Sequence, residues 1–217
     1  MKRPYDSIYF IGDSYTFAIG QADDLLSEVN VDNRFSQLVA DHYKLEHVNH
    51  AIAGTNNQYI ARTLQDDMIE YSLRDKNPLV VVSYTDSARQ EVWGKEEKRP
   101  QTLWNKMSWY KDWIVDGFDF EFQDKVTQYH INSSRFLLKY LKFDFVELYT
   151  TLGTSRGSTY GLSCLTQEEV IDLSIVEIGE PDGLFAGLGE ASIGHLNITG
   201  HKLVTDVLIK KIDKLYG

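Results

Sequence analysis

Near the start of the chain an apolar run ends in Gly12-Asp13-Ser14, and near its end Gly194-His195-Leu196-Asn197 precedes a helical pattern. A serine hydroxyl is essentially never ionised at neutral pH, so it acts as a nucleophile only with a base in hydrogen-bond reach. His195 is the candidate base for Ser14, and together the two would carry out acyl transfer. The turn after a strand also leaves backbone amides unpaired and directed at whatever binds there. Asp13 reads as a residue that orders this loop by accepting backbone N–H bonds.

Other chemistries find less support. His42, His47 and His50 are the one local histidine cluster. His47 and His50 fall on opposite faces of a strand and no cysteine accompanies them, so we expect no metal site. The segment Gly12 to Gly20 matches neither the Walker nor the dinucleotide fingerprint, which argues against a phosphate-binding loop. Cys164 stands alone and reads as a sign of a reducing compartment or simply as an inert buried thiol. Arg89 is a candidate substrate-binding residue, either paired with Glu91 or available to an anionic group.

These residues need elements to position them. Ser7 to Ile11, Leu45 to Asn49, Pro78 to Tyr84 and Phe143 to Tyr149 read as strands. The third is a continuous apolar run without alternation, which implies burial on both faces, as in a parallel sheet. Helical spacing joins Phe35, Leu38, Val39 and Tyr43, and again Ile60, Leu64, Met68 and Tyr71, with Thr55 and Gln58 as a capping box before the latter. A long helix is expected over Gln123 to Lys142 and a last one from about Thr199, with His201 in its first turn as a structural or pocket-edge group.

Alternating strands and helices predict an α/β fold, and residues just past the strands should carry the function. The stretch 94–117, with Trp104, Trp109 and Trp113, fits the alternation poorly. It reads as an insertion at the sheet's carboxyl edge, where Trp104 and Trp109 would serve as a lid or pocket wall, or else as a helix packed on the core or against another protomer.

Composition sets the outer bounds. With 217 residues, the chain reads as one domain spanning 1–217, with no need of a disulfide. A formal charge of -10 argues against nucleic-acid binding and against an anionic membrane surface. No apolar run approaches the ~18 residues of a membrane span. The N-terminus lacks the pattern of a signal peptide, so a cytoplasmic location is expected.

Gly12-Asp13-Ser14, then Asn49-His50-Ala51-Ile52-Ala53-Gly54, then His195-Leu196-Asn197 with Gly200-His201 resemble, in order and spacing, the blocks of the SGNH, or GDSL, hydrolases. The resemblance implies a three-layer α/β/α sandwich, flavodoxin-like, with a mostly parallel sheet of about five strands. It also implies hydrolysis of a small-molecule ester or acylated sugar, without a metal or other cofactor. By position Ser14 resembles the nucleophile and His195 the general base, while Gly54 would add its N–H to that of Ser14 in an oxyanion hole.

Two blocks depart from the family. The third is normally Gly-x-Asn-Asp, whereas this chain reads Ser83-Tyr84-Thr85-Asp86, so either the Thr85 hydroxyl or the Asn57 amide would complete the oxyanion hole. The aspartate usual three residues before the histidine is replaced by Ser192. A backbone carbonyl, Ser192, Asp182 or Glu190 would then orient His195, leaving a Ser-His dyad or an incomplete triad. These departures also motivate an alternative, a catalytically impaired protein of the same fold that binds carbohydrate or a protein partner.

Overall fold

The computed structural model describes residues 5–17, 32–85, 89, 91–92, 101–102, 120–149, 170–172, 196 and 198–217. Its elements in chain order begin with β1 (Ser7–Ile11), α1 (Ser14–Phe17), α2 (Phe35–Tyr43), β2 (Glu46–Asn49), α3 (Asn57–Leu73) and β3 (Leu79–Tyr84). They continue with β4 (Glu91–Val92), β5 (Gln101–Thr102), α4 (Phe120–Leu141), β6 (Phe145–Tyr149), β7 (Val170–Asp172) and α5 (Ile198–Tyr216).

Among the described residues five strands form one sheet in the order β2-β1-β3-β6-β7, and all four of these pairings are parallel. Every residue of β1 and of β3 is buried, as an unalternating apolar run requires when helices cover both faces. Ile8, Phe10, Val81, Val146 and Leu148 point to one side, where they pack with Phe35 and Val39 of α2 and Val204, Leu208 and Ile212 of α5. Tyr9, Ile11, Val80, Val82 and Tyr84 point to the other, against Ile60, Leu64 and Met68 of α3 and Ile131 and Leu138 of α4. The result is the three-layer α/β/α arrangement expected from the sequence.

One buried charge belongs to this frame. Glu147 of β6 is 3% exposed, and Arg135 of α4 meets it with Nε at 2.8 Å and 3.0 Å from the two carboxylate oxygens. The Tyr84 hydroxyl donates to the same carboxylate at 3.1 Å. A buried carboxylate costs several kcal/mol unless its lone pairs are met, and a planar guanidinium meets two at once.

Some boundaries differ from the sequence reading. The cap of α3 is Asn56, whose side chain accepts from Tyr59 N–H at 2.9 Å, one residue later than the expected Thr55. Asn and Thr both cap well, so two overlapping signals competed there. β7 and the antiparallel pair β4–β5 were not anticipated. Gln101 and Thr102 belong to the expected 94–117 insertion and pair back onto Val92 and Glu91. The rest of that insertion, with Trp104, Trp109 and Trp113, lies outside the described residues.

Candidate active site

The strand order reverses direction between β1 and β3, since the chain first adds β2 on one side of β1 and then β3 on the other. At such a switch point the loops leave in opposite directions and open a crevice beyond the carboxyl ends. Gly12-Asp13-Ser14 and Thr85 stand at the ends of β1 and β3.

Gly12 makes the first turn possible by its lack of a side chain. A Cβ there would stand 2.5 Å from Thr16 Oγ1 and 2.6 Å from Ser83 Cβ, so β3 and the start of α1 close over it. Ser14 opens α1 and is 3% exposed. Asp13, fully buried, accepts Tyr15 N–H at 3.1 Å through Oδ1, the loop-ordering role expected of it.

Its other oxygen, Oδ2, accepts the Thr85 hydroxyl at 2.8 Å and Arg89 at 3.2 Å. The same guanidinium nitrogen donates to the Thr55 carbonyl at 3.3 Å. Arg89 thus ties the loop after β3 to the loops after β1 and β2 and compensates the Asp13 charge, a partner absent from the sequence reading. A carboxylate just past a fully buried strand calls for a cation nearby, but nothing local in the sequence says which one.

Asn57 and Thr85 form a reciprocal pair. The Thr85 N–H donates to Asn57 Oδ1 at 2.9 Å, and Asn57 Nδ2 donates to the Thr85 carbonyl at 2.7 Å. Asn57, Thr55 and Thr85 are all buried. A threonine hydroxyl has one proton to donate, and here it goes to Asp13; an asparagine amide has two, of which one goes to Thr85.

The loop after β2 is laid along the first by backbone bonds, His50 N–H to the Phe10 carbonyl at 2.8 Å and Ile52 N–H to the Gly12 carbonyl at 3.1 Å. Gly54 turns this loop toward α3 with φ 76°, a left-handed value that favours glycine. Asn49 clamps it from beneath, its Nδ2 donating to the Thr16 carbonyl and to Ser36 Oγ, both at 3.1 Å.

His195, Ser192, Asp182 and Glu190 lie outside the described residues. Leu196 does not, and it is 1% exposed in the buried cluster that holds Tyr15, Phe10 and Phe35. His201 is fully buried and its Nδ1 accepts Phe35 N–H at 3.2 Å, which fixes α5 against α2 and gives this histidine a structural role.

His47 and His50 do fall on opposite faces. His47 lies 5.7 Å from the Phe10 ring and within 3.3 Å of Arg34. His50 lies over Tyr9 on the other face and meets Asp67 at 2.7 Å.

No protein-family model and no curated protein sequence matches the chain. Solved structures do. The psychrotrophic esterase EstA from a Pseudoalteromonas species aligns over 97% of this chain and 98% of its own, with TM-score 0.58 and 15% identity. A G-D-S-L family protein from Desulfitobacterium hafniense DCB-2 aligns over 95% and 99%, with TM-score 0.59 and 16% identity. A family two carbohydrate esterase from Clostridium thermocellum, in complex with cellohexaose, aligns over 98% and 66%, with TM-score 0.51 and 15% identity. The fold of this chain is the SGNH hydrolase fold.

Proposed function

We propose that the protein is a serine-dependent ester or acyl hydrolase. Ser14 attacks the ester carbonyl, and His195 takes its proton and returns it to the leaving alcohol. The Ser14 and Gly54 N–H groups hold the oxyanion, and the second Nδ2 proton of Asn57 serves as the third donor. Thr85 joins this set only by releasing Asp13, so its resting role is to position Asn57 and the loop that bears Ser14. The water that follows releases the acid.

The observation that carries this reading is the shared core of Tyr15 and Leu196. One is the chain neighbour of Ser14 and the other of His195, so residues next to both belong to the buried cluster on one face of the sheet, which supports a site built from the two ends of the sequence. The neighbours of this fold include esterases, one of them with a cello-oligosaccharide, which supports a small ester or acylated sugar as substrate. The chain should hydrolyse short aryl esters, and Ser14→Ala should lower the rate about 10⁵-fold or more. An unchanged rate in that variant would overturn the proposal.

A second reading has its own observation. The single hydroxyl proton of Thr85 is directed to Asp13 and away from any ligand, and Ser192 replaces the usual acid, which fits a site that binds an acylated or free sugar without turnover. Sugar binding by a protein devoid of esterase activity would favour it.

A further inference from the structure

α4 turns a partly polar side to the core and an aromatic side to solvent. Gln123, Asp124, Thr127 and Ser134 are buried beside Ile131 and Leu138, whereas Phe122, Tyr129, Phe136 and Tyr140 are 56%, 72%, 71% and 73% exposed. The Phe136 and Tyr140 rings lie 6.2 Å apart with planes 15° from parallel. Single exposed aromatics need no explanation, but a row of them at fixed spacing does. Phe122, Tyr129 and Phe136 recur every seven residues, and Val126, Ser133 and Tyr140 follow each by four. Steps of four and three along one helix face make the heptad seam by which two helices pack.

We propose that this seam joins two copies of the chain through an antiparallel pair of α4 helices related by a two-fold axis. An isologous interface must be complementary to itself in reverse order. With the axis level with residue 131, Phe122 faces Tyr140, Val126 faces Phe136 and Tyr129 faces Ser133 of the second copy. The central layer sets the Tyr129 ring against the small Ser133, twice over. A parallel pair would set Ser133 on Ser133 and Tyr129 on Tyr129, leaving one layer empty and the next crowded.

Charge points the same way. Glu121 is exposed in the first turn of α4, where it also pairs with Lys125 of the same helix at 2.6 Å, and Lys139 is exposed in the last turn. The antiparallel pair brings the first turn of each copy to the basic last turn of the other, with the helix dipoles opposed. An open cavity of about 550 Å³ between α3 and α4, lined by Gln58, Arg62, Gln65, Tyr129 and Ser133, adjoins the central layer and has room for the second copy's ring.

Sedimentation equilibrium of the chain at up to ~100 μM should give twice the 24.9 kDa chain mass, and Phe136→Glu should weaken the dimer about a hundred-fold or more. Phe136 is mostly exposed in the single chain, so the circular dichroism spectrum of this variant should be unchanged. In a Cys164→Ser background, Val126→Cys with Phe136→Cys should oxidise to a covalent dimer, and Val126→Cys alone should not. A monomer at that concentration, a dimer indifferent to Phe136→Glu, or cross-linking that ignores the 126–136 pairing would each overturn the proposal.

Discussion

The hydroxyl of Thr85 donates to the carboxylate of Asp13 at 2.8 Å, joining the end of β3 to the turn that presents Ser14. Both residues are buried, and the donor and acceptor are 72 positions apart in sequence. Thr85→Val keeps the shape and removes the donor, leaving a carboxylate lone pair unmet. We expect a loss of about 1–3 kcal/mol in urea unfolding. Thr85→Ser should recover most of it.

Arg89→Ala removes the cation from a carboxylate that has no access to water. Breaking such a pair costs about 3–5 kcal/mol, and the partial exposure of Arg89, 28%, places the expected loss at or below the lower end. Adding Asp13→Asn removes the stranded charge, so the double variant should be more stable than Arg89→Ala alone. A double-mutant cycle by urea unfolding measures the difference.

Gly12→Ala tests the close approach of β3 to the first turn. The new methyl would stand 2.6 Å from Ser83 Cβ, a side-chain atom that moves only with its backbone. We expect about 1–3 kcal/mol of destabilisation by thermal melting, with loss of whatever activity Ser14 supports. Ser83→Gly in the same chain should return part of the stability.

The two histidines of the β2 segment should give opposite pH dependences. Burial, with the Arg34 guanidinium beside it, pushes the His47 pKa down to about 4. Arginine can only donate, so the contact at His47 Nδ1 also requires the neutral ring. An unfolded histidine titrates near 6.5, so between about pH 6.5 and 4 the unfolded chain takes up a proton that the native chain refuses. Stability falls as pH falls through that window, and His47→Gln should flatten the fall.

His50 has the other sign. The hydrogen bond to Asp67 raises its pKa against the effect of burial, so its contribution is complete below about pH 6.5 and is lost as pH rises through the folded value. His50→Gln should remove that loss in calorimetric melts above pH 6.5. The Asp67 carboxyl, raised by burial but lowered more by the hydrogen bonds from His50 and Tyr9, supports the pair until acid protonates it.

The parts of the fold legible in the sequence were those fixed by local pattern. Val80, Val81 and Val82 run without a polar break, and a strand buried on both faces follows directly. Phe35, Leu38, Val39 and Tyr43 recur at helical spacing, and α2 forms over them. β7 was missed because Val170-Ile171-Asp172 offers only two apolar residues and takes its strand geometry from pairing with β6. At the site, Gly12 and Ser14 were marked by turn chemistry, which is local, and Gly54 by the resemblance of the block that contains it. The links from Asp13 to Thr85 and Arg89, and from Asn57 to Thr85, join residues 28 to 76 positions apart, so no local pattern announces them.

The proposed chemistry stands on Ser14 as an activated nucleophile with His195 as its base. A fluorophosphonate probe reacts with such a serine and forms a stable adduct that peptide mass spectrometry can place. One adduct per chain is expected, located on Ser14, absent in Ser14→Ala and strongly slowed in His195→Ala. A chain that stays unlabelled while folded, or an adduct carried by another residue, would contradict it.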